Sequence, residues 1–366
     1  MSKHAAAILS INSSRITVAV GSRSVNNTFN ISSVGEAAYD GYSNGEFIEP
    51  RKLSDAVSEA LEAVKSVQNT FGRIYVGVPA DFLECIVKDV NLSFLKPKAV
   101  KPDDIERLLD QGGFDVPDYM LINRSPLYFD VDGLKSLKYP ETKVSKISAK
   151  VSYIYAKNIF IELFNAILES EGFSEVRYLG APLCQYLYLI EDKSAEKKSV
   201  ILDLGHISSG IYYAQGEGLT GLQNFSAGSG YLTLTLMEGL QITYKQAEGL
   251  KQQLVLTLDP SENERYIIDE FSAAVSAAKA NELAIESIYN MAESAAENIE
   301  KMGVKFDEYT SVYMTGEEIC SMRGVKDIFE KVLGISIEIL KPQVPMLDRP
   351  QFSQIVGLLD LALTHN

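Results

Sequence analysis

The sequence predicts an α/β fold of two lobes, and three observations lead to that prediction. With 366 residues the chain is longer than a single compact core usually spans. Strand and helix patterns alternate over residues 54–79 and again over residues 157–190. A strand–turn–strand pattern occurs over residues 8–20 and returns over residues 199–216, so each lobe is expected to open with a similar hairpin.

The composition is that of an ordinary globular, cytoplasmic protein. Hydrophobic residues make up 46% of the chain and charged residues 23%. The formal net charge of −15 argues against a nucleic-acid partner, because phosphate binding needs clustered Lys and Arg. The apolar run at the start of the chain is interrupted by Ser10 and Asn12, so it lacks the length of a signal-peptide core or of a membrane span.

Cysteine and histidine usage gives no sign of disulfides or zinc. The cysteines are odd in number and far apart in the sequence, which fits buried, reduced thiols: Cys85, Cys184 and Cys320. The histidines lack the spacing of metal ligands: His4, His206 and His365. We therefore expect neither a disulfide framework nor a zinc site.

Individual elements follow from periodicity and from turn residues. The first hairpin should turn at residues 12–15, and Ser54 opens a helical pattern that ends before a strand at residues 74–79. Prolines then punctuate residues 81–154, with short strands and one helix near Pro102, as in a small inserted subdomain. An amphipathic helix follows at about 157–170.

The boundary between the lobes is expected in the charged segment of residues 191–199. The predicted units are residues 1–79 with 157–195 for the first lobe, 80–156 for the insertion, 196–220 with 296–366 for the second lobe, and 221–295 for an α/β subdomain within it.

The second hairpin carries the motif LDLGHISSG at residues 202–210. Facing hairpins can hold a nucleotide, because turn amides and hydroxyls donate to phosphates while carboxylates hold a hydrated Mg²⁺. Asp, Gly and Ser also occur in strand-end turns for conformational reasons alone. On that alternative, Asp203 caps its own turn.

At these residues the chain resembles the bacterial cell-division actin homologue FtsA, over nearly its whole length. The second phosphate loop of that family is close to LDIGGGTTD; here Asp203 and Gly205 remain, while His206, Ser208 and Ser209 replace a Gly and two Thr. The segments SAGSGYLTLTL, QAEGLK and VYMTGEE resemble the next family motifs in order. The inserted stretch from INRSPLYFDVDG to SYIYA also resembles FtsA, and its position between Val78 and Ala156 is specific to FtsA-like chains.

The resemblance implies a two-lobed actin-like fold, a duplicated ribonuclease-H-like ATPase architecture with an FtsA-type insertion. It also implies ATP and Mg²⁺ as ligands, with Asp203 holding the metal through water. The implied nucleotide-binding residues are Ser13, Ser14, Arg15, Asp203, Gly205, Ser208, Ser209, Gly228, Glu248, Lys251, Thr315 and Gly316. For Glu248 and Lys251 the alternative is an exposed ion pair on a helix.

Departures from the family pattern bear on the chemistry. Where the family has LDIGTSKV, this chain has LSINSSRI, so Ser10 replaces the carboxylate that organises Mg²⁺. Ala181 replaces a Glu that helps to orient water, and Glu317 and Glu318 replace glycines beside the purine. Each lost carboxylate is worth on the order of 10²-fold in rate, so we expect weak or absent ATP hydrolysis. Whether ATP and Mg²⁺ still bind stays open.

The resemblance implies protein partners rather than a catalytic role. A division scaffold would bind tubulin-like FtsZ or other divisome proteins and assemble head to tail, with Tyr128, Phe129 and Tyr153 as candidate contact residues. The alternative is a cytosolic adaptor of a pilus or another membrane machine, as in PilM. Residues 354–363 read as the last buried helix of the second lobe and not as a basic membrane helix, so recruitment to the membrane or the division site would come from a partner.

Overall fold

The computed structural model describes residues 5–24, 29–39, 41–64, 71–269 and 273–364. His4 and His365 lie outside the described residues. The strands are β1 (Ala5–Ile11), β2 (Arg15–Arg23), β3 (Phe29–Ala38), β4 (Tyr42–Ser43), β5 (Glu46–Phe47), β6 (Arg73–Val78), β7 (Leu83–Ala99), β8 (Tyr119–Val131), β9 (Leu134–Ser136), β10 (Lys143–Lys157), β11 (Glu175–Gly180), β12 (Lys198–Leu204), β13 (Ser209–Gln215), β14 (Gly218–Phe225), β15 (Arg265–Ile267), β16 (Ala274–Ser276), β17 (Thr310–Gly316) and β18 (Ile337–Ile339). The helices are α1 (Pro50–Ala63), α2 (Pro102–Asp110), α3 (Asn158–Ser170), α4 (Ala181–Leu189), α5 (Ser229–Leu240), α6 (Tyr244–Lys251), α7 (Ala277–Lys301), α8 (Val325–Leu333) and α9 (Ser353–Thr364).

Two five-stranded sheets of the same topology form the centre of the molecule. In the first, the order is β11-β6-β1-β2-β3, and in the second it is β14-β13-β12-β17-β18. Each begins with an antiparallel hairpin, β1–β2 or β12–β13, and is extended on the other side by parallel strands. The repeat predicted from two similar hairpins is therefore present in the strand order of both lobes.

The hairpin strands are buried almost continuously, because both faces of each sheet are covered. Ile8, Leu9 and Ile11 of β1 are fully buried, as are Val200 and Leu202 of β12. Parallel strands with helices on both faces show this near-continuous apolar pattern. The core of each lobe thus holds its hairpin turn at the end of a buried strand.

The insertion is an antiparallel sheet of order β7-β10-β8-β9 with α2 packed on one face. The helix near Pro102 predicted from the sequence is α2, which begins at that proline. Phe129 and Tyr153, proposed as contact residues, are instead buried in the core of this sheet, where Tyr153 donates to the carbonyl of Leu109 at 2.7 Å. Of the three aromatic candidates, Tyr128 is partly exposed.

The last helix, α9, packs on the first sheet and not in the second lobe as we expected. Ile355, Leu358 and Leu359 are buried against Ile8 of β1 and Cys184 of α4. The contact between α9 and the first sheet, which we call the α9 seam, is close: a Cβ placed on Gly77 would lie 2.5 Å from Leu358 Cδ1. The apolar pattern identified a buried helix correctly, but periodicity carries no information about which sheet the helix covers.

No helix of the described residues is long and apolar enough to cross a membrane.

Candidate functional site: the cleft between the hairpins

The two hairpin turns meet across the cleft between the lobes. The first turn is closed by the amide of Asn12, which donates to the carbonyl of Arg15 at 2.9 Å. From this turn the hydroxyl of Ser13 reaches the second lobe, where its Oγ accepts from the amides of His206 at 3.2 Å and Ile207 at 3.0 Å. Two turn amides of the second loop, the groups expected to bind phosphate, therefore donate hydrogen bonds to a side chain of the first loop.

The second loop is held by its own hydroxyls and by the start of α5. Ser209 Oγ accepts from the amide of Gly205 at 3.1 Å and donates to the carbonyl of Ala227 at 2.5 Å. The amide of Ser229 donates to the carbonyl of Gly205 at 2.9 Å. Gly228 allows this approach, because a Cβ there would collide with the carbonyls of Gly205 and His206. Ser209, and not Asp203, therefore closes the turn.

Asp203 lies half-buried at the inner end of the cleft. Its Oδ2 accepts from Tyr212 Oη at 2.8 Å, and burial raises the pKa of its carboxyl group, an effect that Tyr212 and Gln185 reduce by hydrogen bonding. Tyr212 reaches this position because residue 210 is glycine; a Cβ there would lie 2.5 Å from the Tyr212 ring. The change from the family's Asp to Gly210 therefore makes room for a tyrosine that binds Asp203.

A second carboxylate of the inner cleft comes from the first lobe. Asp81 lies in the turn after β6, three residues beyond Val78, and both of its oxygens accept from Ser208 Oγ, at 3.1 and 3.2 Å. Burial raises the pKa of Asp81 to about 6, against the lowering effects of the Ser208 hydrogen bond and of Lys157. Asp81 and Ser13 thus hold the second loop from opposite sides of one turn.

The cleft is narrow inside and wide outside. The inner cavity measures about 50 Å³ and is lined by groups from both lobes, among them Ser13, Asp81, Gln185, Asp203, Gly205, Ser208, Ser209, Asn224, Gly316 and Glu317. The outer cavity measures about 1100 Å³. Ligand sites usually occupy roughly 300–1,000 Å³, so only the outer cavity has the volume of a nucleoside site.

Mixed charges line the outer cavity. Glu317 lies 3.9 Å from Arg15 and accepts from Asn12 at 3.5 Å, so this glutamate crosses from the second lobe to the first hairpin turn. Burial raises the pKa of Glu317, and Arg15 opposes that rise. Burial, together with Lys251, lowers the pKa of His206, which favours the neutral imidazole.

Glu248 and Lys251 form an ion pair in the wall of this cavity. Glu248 Oε1 lies 2.7 Å from Lys251 Nζ, and the two side chains are 35% and 13% exposed. Thr233 donates to Glu248 at 2.5 Å. The pair is therefore tied to α5 and is not the freely exposed pair of the alternative interpretation.

The predicted nucleotide residues are not all brought to the cavities. Ser13, Asp203, Gly205, Ser208, Ser209 and Gly316 line the inner one, and Ser14, Arg15, Glu248 and Lys251 line the outer one. Gly228 lies behind the second loop. The Thr315 hydroxyl points away, donating to the carbonyls of Leu340 at 3.1 Å and Pro350 at 3.4 Å.

Sequence reasoning missed Asp81, Gln185 and Tyr212. Asp81 could have been found, since polar residues at the carboxyl ends of parallel strands gather at one edge of a sheet. Gln185 and Tyr212 gave no such signal, because both lie within apolar stretches of α4 and β13. Buried oxygens without a hydrogen-bond partner also occur here, at Asn12 Oδ1, Gln185 Oε1 and Asn224 Oδ1.

The inner cleft does not fit the phosphate chain of a nucleotide. Its amides at residues 206 and 207 are taken by Ser13, its cavity is far below the usual size, and Asp203 is engaged by Tyr212. Within the described part of the chain, no cluster of three or more His, Cys, Asp or Glu side chains could hold a metal ion.

Two facing hairpins on duplicated five-stranded sheets define an actin-like protein, and similarity to solved structures confirms this fold. A structure of the PilM–PilN type IV pilus biogenesis complex matches with a TM-score of 0.63 and 14% identity, covering 98% of both chains. MreB5 of Spiroplasma citri bound to AMPPNP matches with a TM-score of 0.59 and 9% identity, covering 100% of this chain and 98% of that one. At these identities the likeness shows the fold alone.

Among curated proteins, the chain is similar to cell division protein FtsA. FtsA of Enterococcus hirae is 20% identical over 362 residues, 92% of this chain and 78% of that protein. FtsA of Bacillus subtilis (strain 168) is 21% identical over 370 residues, 97% and 82% of the two chains. No protein-family model matches. The resemblance predicted from the motifs is confirmed, since the chain is similar to FtsA over nearly its whole length.

Proposed function

We propose that this chain is an actin-like scaffold for cell division, which binds division proteins such as tubulin-like FtsZ and associates with itself head to tail. The similarity to FtsA of Enterococcus hirae and Bacillus subtilis supports a division role. For this role we keep the proposed units, except that α9 belongs with the first lobe, and the insertion at residues 80–156 is one of the assembly surfaces. Scaffolding needs the lobes and the surfaces, and it does not need turnover of a nucleotide.

The observation that carries this proposal is the contact of Ser13 with the amides of His206 and Ile207. In a nucleotide-dependent machine such amides donate to phosphate oxygens, and the nucleotide links the lobes. Here a serine hydroxyl makes the same link without a ligand. The chain therefore supplies a contact between the lobes itself, which favours a constitutive scaffold.

Loss of catalytic carboxylates supports the same proposal. Ser10 stands where the family has the Asp that organises Mg²⁺, and its buried Oγ has no hydrogen-bond partner. Ala181 stands where a Glu would orient water. We infer a pseudo-ATPase, in which ATP and Mg²⁺ are not needed for assembly.

Cosedimentation tests the proposal. The full chain is mixed with purified FtsZ polymers, with and without MgATP, beside the variant Asp203→Ala. We expect equal pelleting of wild type and variant in both conditions, and oligomers of the chain alone whose size rises with its concentration. Pelleting that requires MgATP and is lost in Asp203→Ala would contradict a nucleotide-independent scaffold.

A second candidate is a cytosolic adaptor of the PilM type. The supporting observation is that this chain and PilM cover each other over 98% of their lengths. The same assay distinguishes the two: retention on an immobilised PilN-type cytosolic peptide, with a strictly monomeric chain and no pelleting with FtsZ, would move the conclusion to the adaptor.

A further inference from the structure

The far end of the insertion carries a concentrated positive charge in an otherwise acidic chain. We call this end the tip and define it as residues 93–101 and 134–146. The tip contains seven Lys and one Glu, while the whole chain has a net charge of −15. The lysines are Lys96, Lys98, Lys101, Lys135, Lys138, Lys143 and Lys146.

The strand register places these segments together. Lys143 of β10 pairs with Ala99 of β7, and Val144 pairs with Lys98. On the other side, β8 ends at Val131 and turns through Asp132 and Gly133, both with positive φ, into β9. The strand ends therefore lie toward the end of the sheet farthest from the connections to the first lobe, where β7 and β10 extend past the turn between β8 and β9.

The tip projects away from the rest of the molecule. The β10 strand is 15 residues long, so this edge lies roughly 45 Å from its junction with α3. Contacts between the insertion and the second lobe lie on its inner half, where the carbonyl of Leu127 approaches Gly216 and the thiol of Cys85 approaches the carbonyl of Leu219. Among the residues that the structure describes, no part of either lobe covers Leu95 or Leu134.

Two leucines protrude among the lysines. Leu95 of β7 is fully exposed, at 107%, and Leu134 of β9 is 79% exposed. These are the two outer strands of the sheet, so their backbones run about 14 Å apart at the tip. Single exposed leucines are common on protein surfaces, and these two differ in lying beside a cluster of lysines.

Most of these lysines are free for a partner. Only Lys98 among them forms an ion pair in the described structure, with Asp104 at 2.8 Å. Lys135 lies 4.7 Å from the Tyr128 ring, which keeps its ammonium at the edge of the sheet. The turn adds negative charge at Asp130 and Asp132, but Asp130 accepts from the amide of Gly133 at 3.0 Å and so points along the turn.

We propose that the tip binds the surface of an anionic lipid bilayer, with Leu95 and Leu134 entering the headgroup region and the lysines meeting lipid phosphates. Clusters of four to eight basic residues bind anionic membranes, and apolar side chains that insert add to the affinity. A bilayer accepts protruding side chains of any arrangement, whereas a protein partner would need a matching pocket for each leucine. This inference goes beyond the scaffold proposal and replaces the expectation that a partner alone would bring the chain to a membrane.

Vesicle flotation with the full chain tests the proposal. One vesicle set is phosphatidylcholine alone, and the other contains phosphatidylglycerol as the anionic lipid. The tip variant is Lys96→Gln/Lys143→Gln/Lys146→Gln, and the leucine variant is Leu95→Ser/Leu134→Ser. The matched control, Lys245→Gln/Lys305→Gln/Lys331→Gln, removes the same charge from exposed lysines of the second lobe.

Wild type should float with anionic vesicles only, and less at high salt. With about a fivefold effect per lysine, the tip variant should lose on the order of 100-fold in affinity. The leucine variant should lose about tenfold, and the control should bind like wild type. The proposal would be overturned if the control lost as much affinity as the tip variant, or if the tip variant or the leucine variant bound like wild type. Binding to neutral vesicles would also overturn it, as would lysine-dependent binding to an acidic protein without flotation. Circular dichroism of each variant separates loss of binding from loss of fold.

Discussion

At the scale of single residues, the Ser13 hydroxyl accepts amide hydrogen bonds that a phosphate would accept in a nucleotide-dependent relative. Ser13 is buried, and its Oγ accepts two amide hydrogen bonds from the other lobe. A hydroxyl can accept two hydrogen bonds while its own proton remains available, so the geometry satisfies both amides. Without it, both amides would be left without an acceptor in the cleft.

We therefore predict that Ser13→Ala lowers the free energy of unfolding by about 1–3 kcal/mol, the cost of leaving buried donors unsatisfied. Ser14→Ala is the matched control, because Ser14 is the next residue of the same turn and lies in the wall of the wide outer cavity. It should change stability by less than about 0.5 kcal/mol. Urea unfolding followed by circular dichroism measures both. Equal effects of the two substitutions would contradict the role given to Ser13.

Asp81 leads to a prediction about pH. Its pKa is raised from 3.8 to about 6 in the folded protein, so the folded state holds this proton more tightly than the unfolded state. The stability that the protonated carboxyl group provides is therefore complete below 3.8 and is lost as the pH rises through about 6. Asp81→Asn should remove this dependence while keeping an oxygen for Ser208.

The measurement is the difference in unfolding free energy between wild type and Asp81→Asn across that pH window. The difference should change by up to about 2 kcal/mol, with the variant relatively more stable at the high end, after allowance for partial exposure. Taking the difference cancels the contributions of the other carboxyl groups of the cleft whose pKa is raised, such as Asp203 and Glu317. A difference that is constant with pH would show that Asp81 does not titrate in this window.

At the scale of elements, α9 ties the end of the chain to the first sheet. Leu358 is fully buried over Gly77, and Gly357 comes so close to α4 that a Cβ there would lie 2.7 Å from the carbonyl of Cys184. The helix follows the second sheet in sequence and covers the first sheet in space. It is therefore a covalent link between the lobes, beside the cleft contacts.

Shortening a side chain in the α9 seam should lower the free energy of unfolding. We predict that Leu358→Ala lowers the free energy of unfolding by about 2–5 kcal/mol, because it leaves a cavity over Gly77. Leu361→Ala on the same helix, a half-buried position, should cost about 1 kcal/mol. Thermal and urea unfolding of the two variants give the comparison. Similar losses at both positions would mean that α9 is not seated on the sheet as described.

These elements also show what the sequence could and could not reveal. Turn residues and β-branched strands located both hairpins, and Pro102 located the start of α2, because these signals are local. The sheet covered by α9 and the core position of Tyr153 depend on contacts between distant segments, which local patterns do not encode. In the cleft, the resemblance to FtsA predicted that Ser13, Asp203 and Ser208 lie together, but it could not show that Ser13 would bind the second loop itself.

At the scale of the whole molecule, two lobes are joined in the cleft by Ser13, by Asp81 with Ser208, and by Arg15 with Glu317. The carbonyl of Gly216 adds a contact behind the cleft, where it accepts from Tyr186 at 2.7 Å. Closure in a nucleotide-driven machine requires that the ligand favour one arrangement of the lobes over another. Here side chains of the protein make these contacts, so we expect a nucleotide to stabilise the closed arrangement of the lobes only slightly.

We therefore predict that MgATP leaves the thermal midpoint of the wild-type protein unchanged, relative to MgCl₂ alone. A ligand at 100 times its dissociation constant stabilises a protein by about 2.7 kcal/mol, which would appear as a shift of several degrees.

Ser13→Gly frees the amides of His206 and Ile207 without adding a side chain, so this variant should be less stable, and MgATP should raise its thermal midpoint. Lys251→Ala in the Ser13→Gly background should reduce that gain, because Lys251 is the least exposed cation of the outer cavity wall for which an ion pair is seen. A shift of several degrees in the wild type, abolished by Asp203→Ala, would mean that the lobes open to admit a phosphate chain and that the Ser13 contact is one of two states.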